Sequence, residues 1–81
     1  MNFEIKSELP GIFYRRPSPG EAVCVNEGDT IVEGTVIGMV ELMKQFNEVR
    51  SGVAGVLERF TVADGEDIDA DTLLAVVKTT S

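Results

Sequence analysis

The strongest constraint on this chain is that it repeats itself. The run Val25-Asn26-Glu27-Gly28-Asp29-Thr30-Ile31, continuing to Thr35-Val36-Ile37, returns as Val62-Ala63-Asp64-Gly65-Glu66-Asp67-Ile68, continuing to Thr72-Leu73-Leu74. Gly28 and Gly65, Ile31 and Ile68, and Thr35 and Thr72 are each 37 positions apart. A chain of 81 residues has room for one domain, expected to span residues 1–81, so the copies must share a core. Each copy has a turn glycine beside acids, one isolated isoleucine, a polar stretch and then a strand, at Thr35–Val40 and Thr72–Lys78. Neither unit is long enough to enclose a core alone. Packed face to face, they predict a small two-sheet sandwich with quasi-two-fold symmetry. Leu42-Met43-Lys44-Gln45 lies between the copies and sets one lysine at the joint.

The copies are unequal upstream. Gly11 and Gly55 look equivalent, yet Gly11 precedes Gly28 by 17 positions and Gly55 precedes Gly65 by 10, which leaves 7 extra residues in the first half. The surplus is the Pro-rich run Arg15-Arg16-Pro17-Ser18-Pro19-Gly20-Glu21. Its prolines remove amide donors and its glycine permits a turn, so it reads as an exposed loop. Before it, Asn2–Ser7 alternates as a strand and Gly11–Tyr14 begins another; after it, Ala22–Val25 is apolar and strand-like.

Composition narrows the function. The chain has four Phe, one Tyr and no Trp, so Val, Ile, Leu and Ala must fill the core, which suits short strands. A net charge of −7 repels phosphate backbones and anionic lipid, so no nucleic-acid or membrane partner is expected. There is no His, which excludes histidine acid–base chemistry and His-ligated metal. Cys24 is the sole cysteine, so no intramolecular disulfide forms, and its apolar neighbours predict a small half-buried residue. No apolar run reaches the ~20 residues of a membrane span, and no secretory signal opens the chain. A reducing, cytoplasmic compartment is the expectation. Neither a Gly-rich nucleotide loop nor an acid cluster with metal-ligand spacing is present.

The joint itself is ambiguous. Met39, Val40, Leu42, Met43, Phe46 and Val49, bracketed by Gly38 and Gly52, and Val53 just beyond have helical spacing, and the local residues favour a helix. The rival is a hairpin with strands Val36–Leu42 and Gln45–Arg50 and Met43-Lys44 as its turn, a poor local choice where Asn-Gly is usual. The duplication favours the hairpin, because a strand must follow quickly to reach Gly55. If the helix forms instead, the chain becomes a small unmodified adaptor docking through Met39–Val53.

Glu41-Leu42-Met43-Lys44, followed by an apolar-polar strand, resembles the attachment motif of biotinyl domains, over nearly the whole chain from about Glu4 to Lys78. Gly11-Ile12-Phe13-Tyr14-Arg15-Arg16-Pro17-Ser18-Pro19 is similar to the run that introduces the protruding thumb of acetyl-CoA carboxylase biotin carboxyl carriers. The usual tip is Ala-Met-Lys-Met; here Leu42 and Gln45 take the flanking places. The resemblance implies an all-β flattened barrel-sandwich of the biotinyl/lipoyl type, built of two four-stranded antiparallel sheets. It implies covalent biotin on Lys44, with Met43, Glu41, Leu42 and Gln45 read by a biotin protein ligase, and Arg15 to Glu21 forming the thumb. Its partners would be that ligase, a biotin carboxylase and a carboxyltransferase, in cytoplasm or plastid stroma, and the domain itself would be non-catalytic. A lipoyl-type swinging arm of an oxidative decarboxylase complex is the related alternative.

Overall fold

The computed structural model describes residues 1–17 and 20–79. They form eight strands: β1 (Asn2–Lys6), β2 (Gly11–Tyr14), β3 (Thr30–Ile31), β4 (Val36–Leu42), β5 (Gln45–Arg50), β6 (Gly55–Phe60), β7 (Glu66–Ile68) and β8 (Leu73–Lys78). They make two four-stranded sheets, ordered β1-β8-β6-β3 and β5-β4-β2-β7. All six strand pairs are antiparallel. Each sheet draws two strands from each half of the chain.

The two-fold relation extends to individual hydrogen bonds. Gly28 N donates to Leu57 O at 2.7 Å, and Gly65 N donates to Phe13 O at 2.6 Å. Ser7 N donates to Thr72 O at 2.9 Å, and Ser51 N donates to Thr35 O at 2.8 Å. Downstream of the Pro-rich loop the equivalent positions differ by 37; upstream they differ by 44, as Ser7 and Ser51 or Gly11 and Gly55 show. The difference is the seven-residue insertion expected from the sequence.

Alternation fills the space between the sheets. Ile5, Val25, Ile31, Ile37, Leu57, Ala75 and Val77 form one buried cluster, and Phe13, Val40, Ile68 and Leu74 form the other. Ser7 and Ser51 are the buried polar residues, and each closes a local turn, with Leu9 and Val53 respectively. Two-fold-related glycines allow the strands to touch. A Cβ on Gly11 would lie 2.2 Å from Glu41 O, and one on Gly55 would lie 2.4 Å from Lys78 O.

Two expectations are corrected. The Met39–Val53 helix does not form, and with it goes the helical adaptor: the segment is the β4–β5 hairpin, whose backbone groups pair across strands from Val36 to Leu42. Ala22–Val25 is not a strand. It lies beside no strand partner among the described residues, and its Cys24 N donates to Arg15 O, a loop carbonyl, at 2.8 Å. Val25 is nevertheless buried and Cys24 half-buried, so the apolar run reflects packing rather than pairing.

Gly11→Ala and Gly55→Ala should each destabilise the fold by about 3 kcal/mol, the upper end of an overpacking penalty, because backbone rather than a flexible side chain is struck. Gly52→Ala, whose Cβ would meet only Phe3 at 3.8 Å, should change stability little. Urea denaturation of the three variants checks this.

Candidate functional site

The β4–β5 register runs from Val36 opposite Arg50 to Leu42 opposite Gln45, which leaves Met43 and Lys44 as a two-residue turn. Their φ angles are 53° and 65°. Two consecutive left-handed residues are what a type I′ hairpin turn requires, because its twist matches the strands. Residues bearing a Cβ adopt that region at a cost of about 1–2 kcal/mol each. Strand pairing sustains the turn, with help from Asn47, whose amide donates to Val40 O at 3.3 Å. Met43 is 88% exposed and Lys44 is exposed. Among the described residues the ion pairs join Lys6 to Glu4, Arg50 to Glu48 and Arg59 to Glu58, so the Lys44 amine has no carboxylate partner.

The other residues of the motif surround this tip. Glu41 sits one row below Leu42, opposite Ile12 on one side and Phe46 on the other, and is half-buried. The Tyr14 hydroxyl donates to Glu41 Oε1 at 3.4 Å. Leu42 is half-buried and faces the exposed Gln45 across the hairpin. Sequence reasoning missed Tyr14, Phe46 and Asn47 as members of the site. The period of two along β2 and β5 carried the signal: once the register is known, Ile12, Tyr14, Glu41 and Phe46 share one outer face. The rings of Tyr14 and Phe46 lie 6.3 Å apart. Desolvation raises the Tyr14 phenol above its ordinary pKa, and the neighbouring Glu41 carboxylate raises it further.

The Pro-rich loop is anchored at its root. Arg15 N donates to Asp64 Oδ1 at 2.7 Å, and the Arg15 guanidinium lies 4.3 Å from the Phe60 ring centroid. Phe60 in turn packs on the buried Phe13, with centroids 6.0 Å apart. Arg16 Nη1 donates to Glu21 O, which ties the loop to itself, and Gly20 takes φ 84°. Pro17, Gly20 and Glu21 are exposed; Ser18 and Pro19 lie outside the described residues. The loop leaves β2 after Tyr14, which pairs with Met39, four positions back from Met43. The recorded hydrogen bonds of its described residues run to its root and not to the tip.

An all-β flattened sandwich presenting a lysine on the turn between its halves has the architecture of the biotinyl and lipoyl attachment domains. The family described as biotin-requiring enzyme matches residues 3–77, and the chain belongs to it. The chain is 39% identical over 75 residues to the biotin carboxyl carrier protein of acetyl-CoA carboxylase from Nostoc sp., which covers 93% of this chain and 41% of that protein. It is also 39% identical over 74 residues to the chloroplastic biotin carboxyl carrier protein of acetyl-CoA carboxylase 1 of Arabidopsis thaliana, covering 91% of this chain and 26% of that protein. The chain therefore spans less than half the length of these relatives. Among solved structures, the urea carboxylase of Kluyveromyces lactis superposes with a TM-score of 0.76 at 26% identity, covering 96% of this chain and 6% of that one.

The turn and the phenol each yield a measurement. Replacing Met43-Lys44 by Asn-Gly should raise stability by roughly 1–2 kcal/mol, because the replacements accept positive φ. An unchanged urea midpoint would show an unstrained turn. Tyr14 is the only tyrosine, so its ultraviolet titration is read without overlap. Its midpoint should lie above 10.0 and fall in Glu41→Gln. Because the folded state holds the phenolic proton more tightly, the linked stability is present below pH 10.0 and is lost as pH rises through the folded midpoint.

Proposed function

We propose that this domain is a biotin carboxyl carrier, with biotin in amide linkage to Lys44 Nζ. The observation that carries the reading is Lys44 itself, an exposed amine on a strained two-residue turn, with no carboxylate partner among the described residues. The residues present fit the group. An amide at the end of a four-methylene stem needs an accessible primary amine and open space around it, and the turn supplies both. When bound, biotin supplies a ureido nitrogen that takes up and gives up carbon dioxide.

The chain's own part is presentation. Carboxylation and transfer to an acyl group take place in separate active sites, and a tethered carrier visits both at high effective concentration. The strand pairing of β4 with β5 gives the tether a fixed base, which a disordered tail would not. We place Met43, Glu41, Leu42 and Gln45 as the surface read by a biotin protein ligase. Met43 is the most exposed of the large hydrophobic residues and adjoins the lysine. Arg15 to Glu21 is proposed as the thumb of acetyl-CoA carboxylase carriers. Its partners would be a biotin carboxylase and a carboxyltransferase, and acetyl-CoA the final acceptor, in line with the names of the relatives. The domain, residues 1–81, is non-catalytic in this reading and works in cytoplasm or plastid stroma.

Coexpression with biotin protein ligase and excess biotin should give one biotin adduct by intact-mass spectrometry, absent in Lys44→Arg although Lys6 and Lys78 remain. A lipoyl adduct in place of biotin, or an adduct that survives Lys44→Arg, would overturn the proposal.

A further inference from the structure

Met43 contributes nothing that the fold requires. Its φ of 53° is disfavoured for a residue bearing a Cβ, and it is 88% exposed, so packing offsets none of that cost. Met39, four positions back on β4, is the contrast: it is half-buried on the outer sheet face, opposite Tyr14 and Glu48. Sulfur is present at four positions, Met1, Cys24, Met39 and Met43. Cys24 is half-buried, and burial pushes its thiol pKa up, which keeps the reactive thiolate scarce. Of the three thioethers, Met1 alone is as open as Met43, at 86% exposed, and it lies at the paired termini, where Thr79 bonds to its carbonyl. Met43 is thus the one open thioether beside the lysine.

We propose that Met43 is an oxidation site, and that its conversion to methionine sulfoxide by a hydroperoxide switches off biotin loading at Lys44; this rests on the carrier reading and adds a control to it. The step balances. The Met43 Sδ lone pair attacks the outer oxygen of the peroxide, the O–O bond breaks as the S–O bond forms, and the other oxygen leaves with the proton as water or an alcohol. Sulfur gives up two electrons and the peroxide takes them. A dithiol reverses the change through a methionine sulfoxide reductase: the oxygen leaves as water and the thiols become a disulfide. A neutral hydroperoxide suits a domain of net charge −7 better than an anionic oxidant does. The consequence falls on recognition and not on folding. Met43 belongs to neither core cluster, so its sulfoxide breaks no core contact. The ligase surface that takes up Met43 instead meets a strong dipole where a flexible apolar side chain had been. Gln45 flanks the lysine on its other side, so no second thioether at the tip stands in for the first.

Hydrogen peroxide applied to the unloaded domain tests this. Peptide mapping by mass spectrometry should find an added oxygen on Met43 and on Met1 well before Met39 or Cys24. Urea unfolding of that protein should be unchanged, while kcat/KM for biotin addition by biotin protein ligase falls roughly tenfold or more, as a polar group is forced into an apolar contact. Methionine sulfoxide reductase with dithiothreitol should restore the rate in step with the loss of oxygen from Met43. In Met43→Leu, peroxide should not alter whatever rate the variant starts from, although Met1 still takes up oxygen. An undiminished rate after Met43 is oxidised, an equal fractional loss in treated Met43→Leu, or a loss that the reductase leaves in place would overturn the proposal alone. An untreated domain that takes up no biotin would overturn the carrier reading, and this proposal with it.

Discussion

The hydrogen bonds that cross between the two halves hold everything else in place. Ser7 N reaches Thr72 O and Ser51 N reaches Thr35 O, so the strand opening each half lies against the strand closing the other. Because each sheet contains two strands from each half, neither half has a complete sheet of its own. Folding must then be cooperative across the duplication, with mostly long-range contacts and the slow closure such topologies entail. Gly11 and Gly55 mark where this interlocking is tightest, with backbone meeting backbone at distances no Cβ tolerates.

The interlocking explains why local propensity loses at the centre of the chain. Glu41 to Phe46 would favour a helix in isolation, and a helix there would leave β2 without β4, one of its two neighbours. Pairing β4 with β5 and β1 with β8 satisfies backbone groups over the length of both sheets. Two strained residues at Met43 and Lys44 are a small penalty beside that gain. Strain placed on the two residues that face solvent at the tip is also the arrangement expected where function, not stability, has chosen the residue.

Much of this was legible in the sequence, because a repeat is a global signal that survives poor local ones. The spacing of Gly28 and Gly65, the inserted loop and the bounds of the hairpin all followed from it. Ala22–Val25 was misread because burial and strand pairing produce the same apolar run; Val25 enters the core from a loop whose recorded backbone bond goes to Arg15. The aromatic face of Tyr14 and Phe46 was hidden for another reason. The two residues are 32 positions apart and come together only through two strand registers, each invisible until β4 is known to lie between β2 and β5. Arg15 on Phe60 is likewise a contact between a loop and the far half, with no periodicity to announce it.

The duplication also separates two ends that a carrier must keep apart. The axis that relates the halves carries the β4–β5 pair onto the β8–β1 pair. One pair is closed by a covalent turn bearing Lys44. The other is closed by Thr79, whose amide and hydroxyl both donate to Met1 O, at 2.8 and 3.0 Å. The two-fold axis relates these closures to each other, so the domain presents one end closed by a turn and one closed by its paired terminal residues. Symmetry alone would make the two ends alike. What distinguishes them is the pair of residues at the turn and the aromatic side chains on the adjoining face, while the strands beneath remain equivalent.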